Sequence, residues 1–427
     1  MRLIYTLLLY LLLPLALLRL LWRSLAAPGY RADWQQRLGK TPQFAQSPIW
    51  VHAVSVGEVQ AALPLLKRLL ASYPQTPLLV TTTTPTGARH LRQSLGDRVT
   101  HSYLPYDLPF AVRQFLFRSR PLIGLIMETE IWPNLYYIAA SQAVPLLLIN
   151  ARLSLRSARS YGRFQAFTQS TLMCLDAIAA QAPADAERFI ALGAPASRVV
   201  MTGNVKFDVR IPTSQIEEAQ ALRRGWGIHR PLWLAASTHD DEELQVLKAH
   251  QLVRQQHKDT LLVIVPRHPE RFDKVEQLCR KQGLTVVRRS SGKACGADTD
   301  VFLGDTMGEL PMFYAAADVA FVGGSLVPVG GHNLLEPAAV GTPAIVGPYT
   351  FNFEHVTDLL IDKGAARRVL DVEALADTVN EFLKDPNLRD QLGEAGRQVV
   401  QANRGAVDTV LGLIAKRLQN RVSQATG

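Results

Sequence analysis

From Pro48 onward the chain alternates short apolar runs with stretches whose apolar residues recur every three or four positions. The runs 49–54, 78–82, 122–127, 146–149, 177–180 and 199–201 have the pattern of strands buried on both faces. Segments 59–71 and 86–94 between them carry a helical period. Buried strands alternating with helices predict a parallel sheet covered on both sides. The pattern breaks over 204–231, a polar and charged stretch that reads as a linker plus one helix. It resumes with strands at 232–236, 261–265, 284–287, 301–303, 319–322 and 344–346, then helices from Val372 and Leu388 to the C-terminus. The predicted architecture is α/β, with two Rossmann-like domains over 26–210 and 211–427 and a cleft between them. In such sheets ligands bind beyond the carboxyl ends of the strands.

The first 25 residues differ in kind. Residues 3–18 are apolar apart from Tyr5, Thr6 and Tyr10, and Arg19 and Arg23 follow. A helix of that length reaches most of the way across a bilayer. Both arginines stand between the apolar run and the small residues of 24–26, which disfavours cleavage as a signal peptide and predicts a retained anchor. Arg23, Arg31, Arg37 and Lys40 lie after the segment and only Arg2 before it, so the positive-inside rule leaves the body in the cytoplasm. Pro14 and Arg19 weaken a full span and keep a helix lying in one leaflet as an alternative.

Composition narrows the partners. Of 427 residues, 48% are hydrophobic and 19% charged, the balance of a globular chain. The net charge of +9 suits nucleic acid, an anionic lipid surface or an acidic substrate. No basic stripe and no zinc-type Cys/His spacing is present, so nucleic acid is not an expected partner. The basic residues concentrate in the first forty positions and in 152–163, which favours a phosphate-rich membrane surface. Three widely spaced cysteines, Cys174, Cys279 and Cys295, do not make a disulfide framework.

Candidate chemistry lies at the strand ends. The first strand runs into Ser55-Val56-Gly57-Glu58 and a helix. A carboxylate in the first helical turn is favoured by the dipole and can act as a general base, or simply decorate the helix start. The strand 122–127 runs into Glu128-Thr129-Glu130, where one carboxylate must lie near the sheet end. Lys206, in Gly203-Asn204-Val205-Lys206, can neutralise an anion. In the second half, Pro266-Arg267-His268 follows a strand, and Arg267 can grip a phosphate with two hydrogen bonds. Met307-Gly308-Glu309 precedes a helix, and Thr306 with Glu309 fits a capping box. Gly323-Gly324 through Gly330-Gly331-His332-Asn333-Leu334-Leu335-Glu336 follows a strand and opens a helix. There, free N–H groups can meet a phosphate and Glu336 can accept from ribose hydroxyls. His332 and Glu336 stand four apart on one expected helix face, too few for a metal site. Asp298-Thr299-Asp300 precedes its strand, the wrong end for a metal-diphosphate site, and reads as a solvated turn.

Taken in order, these motifs resemble the 3-deoxy-D-manno-octulosonic acid (Kdo) transferase family of lipopolysaccharide biosynthesis in Gram-negative bacteria. The resemblance runs from the N-terminal anchor to near the C-terminus. It implies a GT-B glycosyltransferase fold and transfer of Kdo from CMP-Kdo to the phosphorylated lipid A precursor at the cytoplasmic face of the inner membrane. It further implies inversion, with no metal and no other cofactor. It assigns Glu58 as the base, and Glu128 and Lys206 to transition-state stabilisation. CMP contacts fall to Pro266, Arg267, His268, Met307, Gly308, Glu309, Asn333, Leu334, Leu335 and Glu336, beside the glycine loop Gly330, Gly331 and His332. A nucleotide-sugar 2-epimerase of the same fold and a non-catalytic, membrane-tethered nucleotide-binding protein are the alternatives.

Overall fold

The computed structural model describes residues 1–26 and 28–426. They form two compact units, Met1–Asp208 with Asn403–Gly427, and Val209–Ala402. The first unit holds seven parallel strands: β1 (Ile49–His52), β2 (Leu78–Thr82), β3 (Thr100–Tyr103), β4 (Ile123–Met127), β5 (Leu146–Ala151), β6 (Ala177–Ala180) and β7 (Val199–Met201). Their order is β3-β2-β1-β4-β5-β6-β7. The second unit repeats the plan with β8 (Leu232–Thr238), β9 (Leu261–Pro266), β10 (Val286–Arg288), β11 (Val301–Leu303), β12 (Val319–Val322), β13 (Ala344–Val346) and β14 (Ala366–Arg368). Its order is β10-β11-β9-β8-β12-β13-β14, and every pairing in both sheets is parallel.

Side-chain alternation builds two cores per sheet. Along β1, Ile49 and Val51 enter one cluster and Trp50 the other. Gly124 on β4 makes room for that indole, because a Cβ there would stand 2.7 Å from the Trp50 ring. A sheet buried on both faces explains why its central strands are mostly apolar, with polar residues such as His52, Thr81 and Thr82 near their carboxyl ends. Strand order reverses between β1 and β4, and again between β8 and β12. Those two switch points are where a doubly wound sheet opens a crevice at its carboxyl ends.

Three features depart from the sequence expectation. β3 and β14 are additional strands, both at sheet edges and both partly polar. The expected strand 284–287 is shifted to Val286–Arg288. The domain expected over 211–427 ends early, because the helix Ala406–Thr426 belongs to the first unit. Its Ala406, Val407, Val410 and Ile414 are buried against Val59, Leu66 and Leu125. Asp208 fixes the return, accepting from the N–H groups of Gly405 at 2.8 Å and Val407 at 2.7 Å.

The N-terminal helix spans Arg2–Ala26. Arg2–Leu25 is long and apolar enough to cross a membrane by length and composition, with a mean hydropathy of 2.1. Leu3, Leu7, Leu11, Leu15, Leu18 and Trp22 are exposed. The opposite side touches the first unit through polar groups. Tyr5 donates to Asp107 Oδ2 at 2.9 Å, and Thr6 to Asn134 Oδ1 at 3.1 Å.

Candidate active site

In the first unit, β1 and β4 deliver Glu58 and Glu128 to the same switch point. The helix Val56–Ser72 starts three residues earlier than its apolar period suggests, so Glu58 sits in its first turn. Ser55 makes no side-chain cap. Glu58 folds back instead, and its Oε2 accepts the Val54 N–H at 2.8 Å. That bond lowers the Glu58 pKa, but burial outweighs it and raises the pKa from 4.5 to about 8, helped by the charges of Glu128 and Glu130 and opposed by Lys206. The dipole argument alone had favoured the ionised form; desolvation is the larger effect here.

Glu128 adopts φ 58°, a left-handed conformation that a residue with a Cβ rarely takes. Strain of this sort collects at functional sites. Lys206 Nζ stands 3.7 Å from its Oε1, and both side chains are partly exposed. Two asparagines hold the lysine loop. Asn150, at the end of β5 and also left-handed with φ 52°, accepts from the Val205 N–H at 3.1 Å. Asn204 accepts from the Lys206 N–H at 3.0 Å. Asn150 escaped the sequence reading, although a polar residue capping an apolar strand is a legible signal. Glu130 is partly buried, and that burial raises its pKa.

In the second unit the glycine loop differs from expectation. Glu242, fully buried behind the end of β8, accepts from the N–H groups of Gly324 at 2.7 Å and of Ser325 and Leu326 at 3.0 Å each. The anion that this turn attracts is therefore internal. Gly330 and Gly331 donate to the Gly324 carbonyl at 3.0 and 2.8 Å, so their N–H groups are also committed. Gly330 has φ 107°, and a Cβ there would lie 2.4 Å from Asn352 and from the Phe351 ring. The N–H groups of His332, Asn333 and Leu334 have no acceptor among the described residues. The helix begins only at Leu335 and ends at Val340, so His332 lies outside it and does not share a face with Glu336. Asn333, one residue before the N-cap Leu334, accepts from the Leu335 N–H at 3.1 Å. Leu334 and Leu335 are buried, leaving only their backbone for a ligand.

A cluster of arginine and histidine side chains forms beside this loop. Arg267 is half-buried and has no carboxylate partner among the described residues, whereas Arg271 is held by Glu243 and Asp240. His239 Nε2 lies 2.8 Å from His332 Nε2 with the rings stacked, and His268 meets His239 edge-on at 5.3 Å. Burial first, and then the neighbouring imidazoles and Arg267, together lower His239 to about 4 and His332 to about 3. His239 follows β8, a place at a strand end that by itself assigns it no role. Met307 is exposed, and Gly308 has φ 85° with open space around it. Glu309 is not half of a capping box. Its carboxylate is gripped by Arg289 at 2.9 and 3.1 Å and accepts the Thr306 hydroxyl, while the helix starts after it at Leu310. The Asp298–Asp300 turn is also less solvated than expected. Asp300 pairs with Arg254 at 2.8 Å and accepts from the Thr285 N–H at 2.8 Å. Among the described residues no group of three or more His, Cys, Asp or Glu side chains is disposed to hold a metal.

Comparison with known proteins gives concordant matches. Residues 32–209 match the family model described as 3-deoxy-D-manno-octulosonic-acid transferase (kdotransferase), and residues 243–399 the model of glycosyl transferases group 1. The chain is 40% identical to the 3-deoxy-D-manno-octulosonic acid transferase of Haemophilus influenzae over 99% of its own length and 100% of the relative's. It is likewise 40% identical to the Bordetella pertussis enzyme of that name, over 96% of this chain and 97% of the relative. Among solved structures, UDP-GlcNAc 2-epimerase from Neisseria meningitidis matches with a TM-score of 0.54 at 13% identity, covering 86% of this chain and 100% of the epimerase. That likeness is one of fold.

Proposed function

The chain belongs to the 3-deoxy-D-manno-octulosonic acid (Kdo) transferase family and is a glycosyltransferase of lipopolysaccharide synthesis, and on that premise we propose that it moves Kdo from CMP-Kdo to the phosphorylated lipid A precursor, lipid IVA, in one inverting, metal-independent step. Glu58 is the general base. As the acceptor hydroxyl oxygen attacks the anomeric carbon, its proton passes to the Glu58 carboxylate. The bond from that carbon to the CMP phosphate oxygen breaks, and the electron pair leaves with CMP. The observation that carries this is the Glu58 carboxyl itself: a side chain at the end of β1 whose pKa is raised to about 8 by burial. A base with a pKa near the working pH is the effective kind.

Glu128 and Lys206 stabilise the transition state, in which positive charge builds on the sugar and negative charge on the departing phosphate. Pro266 to His268, Met307 to Glu309 and Asn333 to Glu336 bind CMP, with Arg267 and the free N–H groups of 332–334 taking its phosphate. Gly330 and Gly331 shape that loop and do not donate to the ligand. The N-terminal helix anchors the protein at the inner membrane, with the catalytic body on the cytoplasmic face.

Detergent-solubilised enzyme, incubated with CMP-Kdo, lipid IVA and excess EDTA, tests this. CMP release should depend on the lipid and match the Kdo-bearing lipid formed, with inverted anomeric configuration. CMP release without the lipid, or loss of transfer in EDTA, would overturn the proposal.

A further inference from the structure

We propose that a cleft of about 380 Å³ at the foot of the N-terminal helix is a subsite for a phosphate group of the lipid acceptor. The proposal rests on the acceptor being a phosphorylated lipid, as put forward above. The cleft is lined by Gly29, Asp33, Pro85, Arg89, Arg92 and Tyr103 among others. Gly29 comes just after the helix Arg2–Ala26, so the cleft opens where the chain leaves that helix. A molecule whose acyl chains share the membrane with that helix presents its headgroup at this level.

The charge is one-sided. Arg89 and Arg92 lie three apart on the helix Pro85–Leu95, on one face, and both are exposed. Neither has a carboxylate partner among the described residues; the Arg92 guanidinium reaches only His101 Nδ1, at 3.4 Å. Behind them Arg37 lies over the Tyr103 ring, 4.3 Å from its centroid, and donates to the Thr83 carbonyl at 2.9 Å. Asp33 is the one carboxylate among the lining residues. Two lining guanidinium groups against one carboxylate, with Arg37 buried behind them, focus a positive field. Guanidinium is also the group best matched to phosphate oxygens. The volume falls within the range of small-ligand sites, roughly 300–1,000 Å³, enough for a phosphate and part of its sugar.

The cleft wall connects to Glu58. Pro85 follows Thr83 and Thr84, whose N–H groups donate to the Val54 carbonyl at 3.1 and 3.3 Å. Val54 in turn donates its N–H to Glu58 at 2.8 Å. A phosphate held by Arg89 and Arg92 is thereby tied, through the ends of β1 and β2, to the carboxyl that would deprotonate the acceptor.

The test compares full-length wild type with the double variant Arg89→Gln/Arg92→Gln. Each is assayed on lipid IVA and on its dephosphorylated analogue, with Lys248→Gln/Lys258→Gln, two exposed positions of the second unit, as a control of equal charge. Loss of two guanidinium–phosphate contacts should raise the KM for lipid IVA about tenfold or more. The KM for CMP-Kdo and kcat should hold, the dephosphorylated acceptor should show no difference, and the control should behave as wild type. An equal rise on both acceptors, or no rise, overturns the subsite. Inorganic phosphate separates the two sources of the anion. If it competes with lipid IVA in wild type and not in the double variant, the site is confirmed as a phosphate site. If wild type uses both acceptors equally well, the cleft takes free phosphate and the lipid assignment falls. Should wild type transfer no Kdo at all, the functional proposal fails by itself. Binding of lipid IVA in mixed micelles without donor then still decides the cleft, with about tenfold weaker binding expected for the double variant.

Discussion

Lys206 Nζ lies 3.7 Å from Glu128 Oε1, and both charges act on Glu58 with opposite sign. Lys206 lowers the Glu58 pKa and Glu128 raises it. Transfer requires ionised Glu58, so kcat/KM should rise with pH through about 8. Lys206→Gln should move that limb to higher pH, and Glu128→Gln to lower pH, beyond whatever each does to the maximal rate. Shifts in the same direction would separate the pair from Glu58.

The same carboxyl predicts a stability trend. Its folded pKa, about 8, lies above the unfolded value of 4.5. The stability it contributes is therefore complete below about 4.5 and lost as pH rises through about 8. Glu58→Gln cannot ionise. Thermal melts of wild type should weaken over that window more than those of the variant, and parallel curves would contradict the shift.

Glu242 is the structural anion of the second unit. Glu242→Ala strands the N–H groups of Gly324, Ser325 and Leu326. At about 1 kcal/mol for each, the low end for buried groups, the loss is about 3 kcal/mol in urea unfolding. CMP affinity should fall as well, because the turn also sets the path to Gly330 and Gly331. An unfolding midpoint like that of wild type would show that the turn holds its shape without the carboxylate.

Asp107 joins the N-terminal helix to the first unit. It accepts from Tyr5 at 2.9 Å and from the N–H groups of Asn134 at 3.0 Å and Leu135 at 2.7 Å. Tyr5→Phe removes one bond and should cost about 1 kcal/mol. Asp107→Ala also frees two helix-start donors and should cost about 2 to 3 kcal/mol. Denaturant titrations check the ranking; an Asp107→Ala variant as stable as Tyr5→Phe would contradict it.

Much of this architecture was legible because a strand buried on both faces has to be apolar along most of its length. The runs that became β2, β6, β7, β11, β12 and β13 carry the expected ends. β3, with Thr100, His101 and Ser102, pairs on one side only, so its polar side chains hid it. The helix Ala406–Thr426 shows an apolar face, but that face does not say which sheet it covers; the Asp208 contacts with Gly405 and Val407 decide. Glu58, Glu128, Lys206 and Arg267 stood out because each follows a strand or closes a motif. Glu242 did not, and the place of His239 at a strand end assigned it no role, because their partners lie across the sheet at Gly324 and His332. A glycine-rich turn signals an appetite for an anion, not whether the chain already satisfies it.

Mass spectrometry of lipid IVA incubated with CMP-Kdo and either wild type or Glu58→Gln tests the central claim most directly. Wild type should add the mass of Kdo. The variant should bind CMP as tightly and form the adduct about a hundredfold or more slowly, the usual contribution of a general base. Equal adduct formation by the variant, or none by wild type, would contradict the account.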